Sequence, residues 1–406
     1  MAKKEILIYD DDPAAVEQWK RKLEALAPVG RYFDVTPLDG KDFERAVSGL
    51  RERRRQAREE GPLANPEWNN RFDKVAIFVI DFDLFDANSP SGEEIAYLVR
   101  CYSRCGLIVA LNQFDKAYSA FDLTLQGHPE SFADLNIGDP LLDNPGLWLE
   151  PWEGFRPWAW PLLPHALEQF ERRVRKLRGN LEKPILGYLG LQEPIARSLP
   201  RSTVEFLTKS DDPMETTFDN FVRKSGNGLR GRDEPYCEET LVRVAAARIT
   251  HWLECLVLPG QNVLVDAPHS VSRYPSLLGE RSGDQEAWNR TASFGKHDEL
   301  GLDPVIHEYR FMKSDWLSRP AWFWSEVSNC SEIREVANPW SVAWPDWVFC
   351  EDVSRFLSRE ATREFVADLP SQFVRRFVVN AETPEGKKYI KDPEKITYKP
   401  KIRFSL

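Results

Sequence analysis

The chain opens on Glu5-Ile-Leu-Ile-Tyr-Asp10-Asp11-Asp12-Pro13, an apolar run that stops on three adjacent carboxylates. Carboxylates set side by side repel, and a divalent cation with oxygen ligands is the partner that gives such a group a use. A second run of the same kind, Val75-Ala-Ile-Phe-Val-Ile-Asp81, also ends in an acid. Asp10, Asp11 and Asp81 are therefore candidate metal ligands, provided that the fold brings the two run ends together. Further along, His251 and Cys255 stand four apart on a predicted helix, and Asp266 and His269 three apart at a predicted strand end. If the two pairs converge they form a catalytic or metal cluster; if not, they are a structural histidine and a buried thiol. Arg223, Lys224, Arg230 and Arg232 flank Gly226-Asn-Gly228-Leu-Arg-Gly231. A dinucleotide fingerprint needs a strand before it and a helix after it. The flanks read as loop, which leaves a basic loop or a phosphate or nucleic-acid contact.

The elements that would position these residues follow from hydrophobic period. Residues 5–10 read as a strand, 13–27 as a helix, Tyr32–Val35 as a short strand and 41–60 as a helix with Phe43, Ala46, Val47 and Leu50 on one face. Its continuation, Arg51 to Arg58, is a charged face laced with ion pairs, or else a partner or phosphate surface. The run ending at Asp81 fits a central strand buried on both faces. Glu93–Arg104 follows as helix, Leu107–Asn112 as strand and Asp115–Leu125 as helix. After an irregular loop, His128–Pro145, the segment Leu147-Trp-Leu-Glu150-Pro151-Trp152 reads as a short edge strand broken by proline. This alternation predicts an α/β, doubly wound parallel sheet over residues 1–157. Residues 158–406 read as a larger, mixed α+β output or interaction domain. It has helices at Ala166–Leu181, 238–256 and 352–367 and a strand at Asn262–Asp266. The alternating Lys, Tyr, Ile and Phe of Lys387–Leu406 form a strand or a tail that pairs with a partner.

The first domain resembles the receiver domain of bacterial response regulators. The resemblance covers residues 3–152 and implies a flavodoxin-like sheet ordered 2-1-3-4-5. Asp10 and Asp11 match the family's acidic pair, Asp81 its phosphoacceptor aspartate, and Asp83 the residue whose backbone carbonyl completes the metal site. Ser91-Gly92-Glu93-Glu94 resembles the segment that follows. The resemblance implies Mg2+, which would neutralise charge on a phosphoryl donor and so let an aspartate attack it. Two positions depart from the family. Leu111, with Asn112 after it, stands where a hydroxyl residue is expected, and Glu150 stands where a lysine is expected. The resemblance therefore implies either a degenerate, non-switching module or an atypical one that is still phosphorylated.

Composition bounds the rest. The 406 residues are 42% apolar and 29% charged, a length that implies two domains. Residues 1–160 carry 19 basic and 28 acidic groups, so −9 of the net −10 lies there. Neither half is basic, which disfavours a nucleic-acid surface and a DNA-binding transcriptional regulator. Six cysteines without framework spacing suggest reduced thiols, and the absence of a signal peptide or an 18-residue apolar run suggests a cytoplasmic protein without a membrane partner. The 14 tryptophans cluster around Trp148–Trp160 and Trp316–Trp347. Trp322, Trp324, Trp340, Trp344 and Trp347 are core and interface anchors, or a platform for stacking bases. The function expected is a response-regulator-like signalling protein. Its first domain binds a cation or a partner, such as a histidine kinase or a larger assembly, and controls a scaffold-like second domain. The alternative is a receiver-regulated enzyme acting on nucleotides or nucleic acid.

Overall fold

A computed structural model of the protein describes residues 3–60, 67–82, 91–112, 121–122, 131–138, 141–157, 160–191, 196–197, 199–209, 212–224, 236–258, 264–273, 286, 288–289, 308–323, 326, 347–364 and 376–397. The apolar run Ile6-Leu7-Ile8 is fully buried in β1 (Lys4–Tyr9). β1 lies between β2 (Phe33–Pro37) and β3 (Ile77–Asp81) and is parallel to both. β4 (Leu107–Asn112) pairs with β3, and β5 (Leu135–Gly138) with β4. The result is an all-parallel sheet ordered β2-β1-β3-β4-β5, a flavodoxin-like arrangement. All five residues of β3 are buried, as a central parallel strand requires.

Local chemistry sets the helices. Asp12 caps α1 (Pro13–Glu24), its carboxylate accepting the Ala14 N–H at 2.9 Å, and Pro13 occupies the first turn, where its missing N–H is not needed. Val16, Trp19 and Leu23 form the buried stripe. A short helix, α2 (Ala27–Tyr32), moves the start of β2 to Phe33. α3 (Gly40–Glu60) buries Phe43, Ala46, Val47 and Leu50 as their spacing predicts. Its charged extension carries ion pairs: Arg55 with Glu52 at 2.5 Å, and Arg53 with Asp73 at 2.8 Å. Ser91 caps α4 (Gly92–Tyr102) through the Glu94 N–H.

Three segments depart from the expected elements. The fifth strand is Leu135–Gly138, inside the expected loop, and not 147–152. Two alternating buried residues, Leu135 and Ile137, suffice for a four-residue strand beside β4. The later segment instead forms a 3-10 turn, Pro145–Leu147, and then irregular backbone, because Pro151 cannot donate to a ladder. Within the helix expected over Asp115–Leu125, residues 115–120 and 123–125 lie outside the described residues. Phe121 and Asp122 are extended and pair in parallel with Ile396 and Thr397, so the late Lys- and aromatic-rich segment finds its strand partner within the same chain. The helix expected over 352–367 is two strands, as set out below.

The second half begins with α5 (Leu163–Leu177) and continues to α6 (Glu238–Trp252). β6 (Leu264–Asp266) leads into α7 (Ala267–Arg273) and pairs antiparallel with β7 (Ala321–Phe323). A separate mixed sheet is ordered β9-β8-β11-β10, from β8 (Trp347–Cys350), β9 (Arg355–Ser358), β10 (Thr362–Glu364) and β11 (Phe377–Val379). β9 and β10 replace the expected helix. Phe356 pairs across strands with Phe349, their rings 5.0 Å apart, which outweighs helix propensity. α6 packs on both α4 and α5. Hydrogen bonds stitch this seam: the Tyr97 and Tyr236 hydroxyls at 2.9 Å, Thr240 donating to the Cys101 carbonyl at 2.7 Å, and Arg243 to the Arg104 carbonyl at 2.8 Å. One cluster of buried apolar residues has members from Ile6 in β1 to Ile390 near the end of the described chain. Trp316 and Trp322 are core residues and Trp347 is half-buried, whereas Trp324, Trp340 and Trp344 lie outside the described residues. No helix among the described residues is long and apolar enough to cross a membrane.

Candidate metal centre

β1 and β3 are adjacent and parallel, so both acid-ended runs finish on the same sheet edge. Asp10, Asp11 and Asp81 each offer a carboxylate oxygen there, and these oxygens lie within 4.8 Å of one another. Asp10 and Asp81 are buried, and Asp11 is exposed. One oxygen of Asp10 accepts the Asp12 N–H at 2.7 Å. Its other oxygen, Oδ2, is buried with no hydrogen-bond partner. Burial, followed by the neighbouring Asp11 and Asp81 carboxylates, pushes the Asp10 carboxyl up to about 7, against the pull of the Asp12 N–H. A three-carboxylate set of hard oxygen donors suits Mg2+ or Mn2+, and the orphaned oxygen is the kind of group such an ion would satisfy. Gly92 is required at this edge. A Cβ there would stand 2.5 Å from the Cα of Phe82, so only glycine lets α4 begin this close to the residue after Asp81.

The strand positions beside Asp81 are apolar. Asp81 is opposite Leu111 on β4, and Leu111 is opposite Ile137 on β5. Opposed residues share a face of the sheet, so one row runs acid, apolar, apolar. Leu111 is fully buried and Ile137 nearly so. Asn112 pairs with Gly138 at the end of β4. Glu150 is not at the end of the fifth strand. It lines a cavity of about 140 Å³ with Trp152, Arg156 and residues of the mixed sheet. Burial pushes its carboxyl up to about 7, although Arg156 opposes this. The expectation that Glu150 takes the place of the family's lysine beside Asp81 is therefore corrected, since the strand that would have carried it there does not form. Asp83 lies outside the described residues.

The four residues of the second candidate site form two separate pairs, and their ligand atoms do not gather into one metal-holding group. Cys255 Sγ and His251 Nδ1 are 3.8 Å apart, and His269 Nδ1 lies 2.5 Å from Asp266 Oδ1. Arg319 links the pairs. Its Nε donates to Asp266 at 2.6 Å and its Nη1 to Glu254, beside Cys255, at 2.8 Å. Glu254 also accepts from the backbone and hydroxyl of Ser318. Burial alone would raise the Asp266 carboxyl, but His269 and Arg319 hold it well below the usual carboxylate range. Burial pushes the Cys255 thiol up to about 12, so it stays protonated and unreactive at neutral pH. Arg319 is the residue that sequence reasoning missed. It lies 53 residues from Asp266, and no local pattern marks it.

In the basic segment, Arg223 pairs with Asp219 at 2.9 Å and Lys224 is exposed at the end of a short helix, Phe218–Lys224. Arg230 and Arg232 lie outside the described residues. No family model matches the chain, and no curated protein matches its sequence.

Proposed function

We propose that residues 3–152 form a receiver-like regulatory module that binds Mg2+ or Mn2+ through Asp10, Asp11 and Asp81 and no longer works as a phosphoryl switch. The observation that carries this reading is the unpartnered, buried Oδ2 of Asp10 beside two further carboxylates at the edge of a parallel sheet. A bound cation supplies charge neutralisation and, where a phosphoryl donor is present, polarises its oxygens. Asp10 and Asp81, which are buried, and Asp11, which is exposed, are the residues that would hold the ion. The apolar row of Leu111 and Ile137 supports the loss of the switch. It holds neither a hydroxyl nor a cation to receive an added phosphoryl group. Regulation of the second half, within a signalling assembly that includes a protein partner, would pass through the packed seam of α4 and α6.

Titration calorimetry with MgCl2 and MnCl2 tests the site. Saturable binding is expected, weakened at least tenfold by Asp10→Asn and by Asp81→Asn. Equal heats for both variants and the native protein would remove the metal site. Acetyl phosphate with Mg2+, followed by intact-mass measurement, tests the switch. No stable adduct is expected, and one phosphoryl group lost in Asp81→Asn would reverse that half of the reading.

A further inference from the structure

A cavity of about 110 Å³ lies between the parallel sheet and the second half, remote from the acid cluster, and none of the three acids lines it. Its floor is β4 and β5, through Leu107, Val109 and Leu135, and its walls are α5 and α6. Arg173 of α5 is one of its lining groups and is only 4% exposed. Its Nη1 donates to the Asp315 carbonyl at 2.5 Å, but its Nε is buried with no hydrogen-bond partner. No carboxylate among the described residues forms an ion pair with it.

The two acids that line the cavity are already neutralised. Asp134 pairs with Arg100 and accepts the Ile108 N–H, and Glu254 pairs with Arg319. A second buried arginine, Arg248, also lines the cavity, so the charge there is positive on balance. A buried cation without an ion-pair partner is costly, and burial lowers the Arg173 guanidinium to about 10, although Asp134, Glu254 and Asp315 pull the other way. Filling the site with an anion would recover that cost. The apolar floor, together with Leu163 and Ala166 of α5, favours an anion with a hydrocarbon body over a bare inorganic one. The space is smaller than the roughly 150 Å³ cavity that holds benzene, so the body is short.

We propose that this cavity is an effector site for a short-chain organic carboxylate, with its carboxylate on Arg173 and its alkyl group against Leu135, Leu163 and Ala166. The site touches β5 on one side and α5 and α6 on the other, so occupancy would bear on the packing of the two halves. The inference stands independently of the metal site.

Calorimetry on the full chain with isovalerate, isovaleramide and inorganic phosphate tests it. Isovalerate is expected to bind saturably, and the neutral amide at least about tenfold more weakly, as loss of a charged hydrogen bond implies. Arg173→Met should weaken isovalerate by a similar factor. Ala166→Trp, at a half-buried position, should fill the space and abolish binding while keeping Arg173. If Arg173→Met fails to fold, the acid-to-amide ratio and Ala166→Trp decide. Absence of isovalerate binding, equal affinity for the amide, equal affinity for phosphate, or undiminished binding by Ala166→Trp would each overturn the proposal.

Discussion

Asp10 and Asp266 are both buried aspartates at the ends of β-strands, and their surroundings push them in opposite directions. Asp266 meets Arg319 and His269, accepts from both, and stays ionised. Asp10 meets two more carboxylates, keeps one oxygen unpartnered, and is held near neutrality. The first arrangement is complete in itself and fixes the junction of β6, α7 and the Arg319 segment. The second is incomplete until something positive arrives. Burial does not distinguish a structural acid from a ligand-seeking one; the sign of its neighbours does.

The largest effect that would break this contrast is at Asp266. Asp266→Ala leaves Arg319 buried with one partner lost, and should destabilise the fold by about 3–5 kcal/mol in denaturant titrations. Asp10→Asn removes repulsion instead, and should leave the metal-free protein as stable as the native chain or more so. If both substitutions destabilise equally, the two acids are alike and the contrast is void. Next in size is the metal itself. At about a hundred times its dissociation constant, Mg2+ should stabilise the native protein by about 2.7 kcal/mol and leave Asp10→Asn unmoved, read as a shift in denaturation midpoint.

A smaller effect comes from protons. The Asp10 carboxyl is raised in the folded state, so the folded chain keeps a proton that the unfolded chain releases near pH 4. Its contribution to metal-free stability is therefore complete below about pH 4 and lost as pH rises to about 7, by at most about 1.4 kcal/mol per pH unit. Asp10→Asn should flatten that slope. Asp266 has the opposite sign. Its contribution holds at neutral pH and fades only as the solution becomes strongly acidic. The smallest effect is at Leu111. Leu111→Thr places a hydroxyl opposite Asp81, and should convert an undetectable acetyl-phosphate adduct into a minor one by intact mass, because Ile137 still supplies no cation.

Much of the first sheet was legible in the sequence because buried parallel strands are continuous apolar runs, and those of β1, β3 and β4 end on residues with obvious chemistry. Their adjacency then followed from the resemblance to a receiver, which is why Asp10, Asp11 and Asp81 could be grouped in advance. β5 was not legible. Leu135 and Ile137 are two apolar residues among polar ones, whereas Leu147-Trp-Leu makes a denser run that folds as a turn. Phe356 and Leu357 fit a helical stripe as well as they fit a strand, and only the distant Phe349 decides between the two. The cavity at Arg173 and the Arg319 bridge were beyond reach for the same reason: each depends on segments far apart in the chain.

The pairing of Phe121–Asp122 with Ile396–Thr397 has a consequence for the order of assembly. Chains fold from the N-terminal side as they are made, and contacts of great sequence separation close last. The first sheet has all five strands by Gly138, yet the extended segment between β4 and β5 has no strand partner until residues 396–397 have been synthesised. The five-stranded parallel sheet can thus mature early, while the Phe121–Asp122 pairing waits until the chain has been made as far as Thr397.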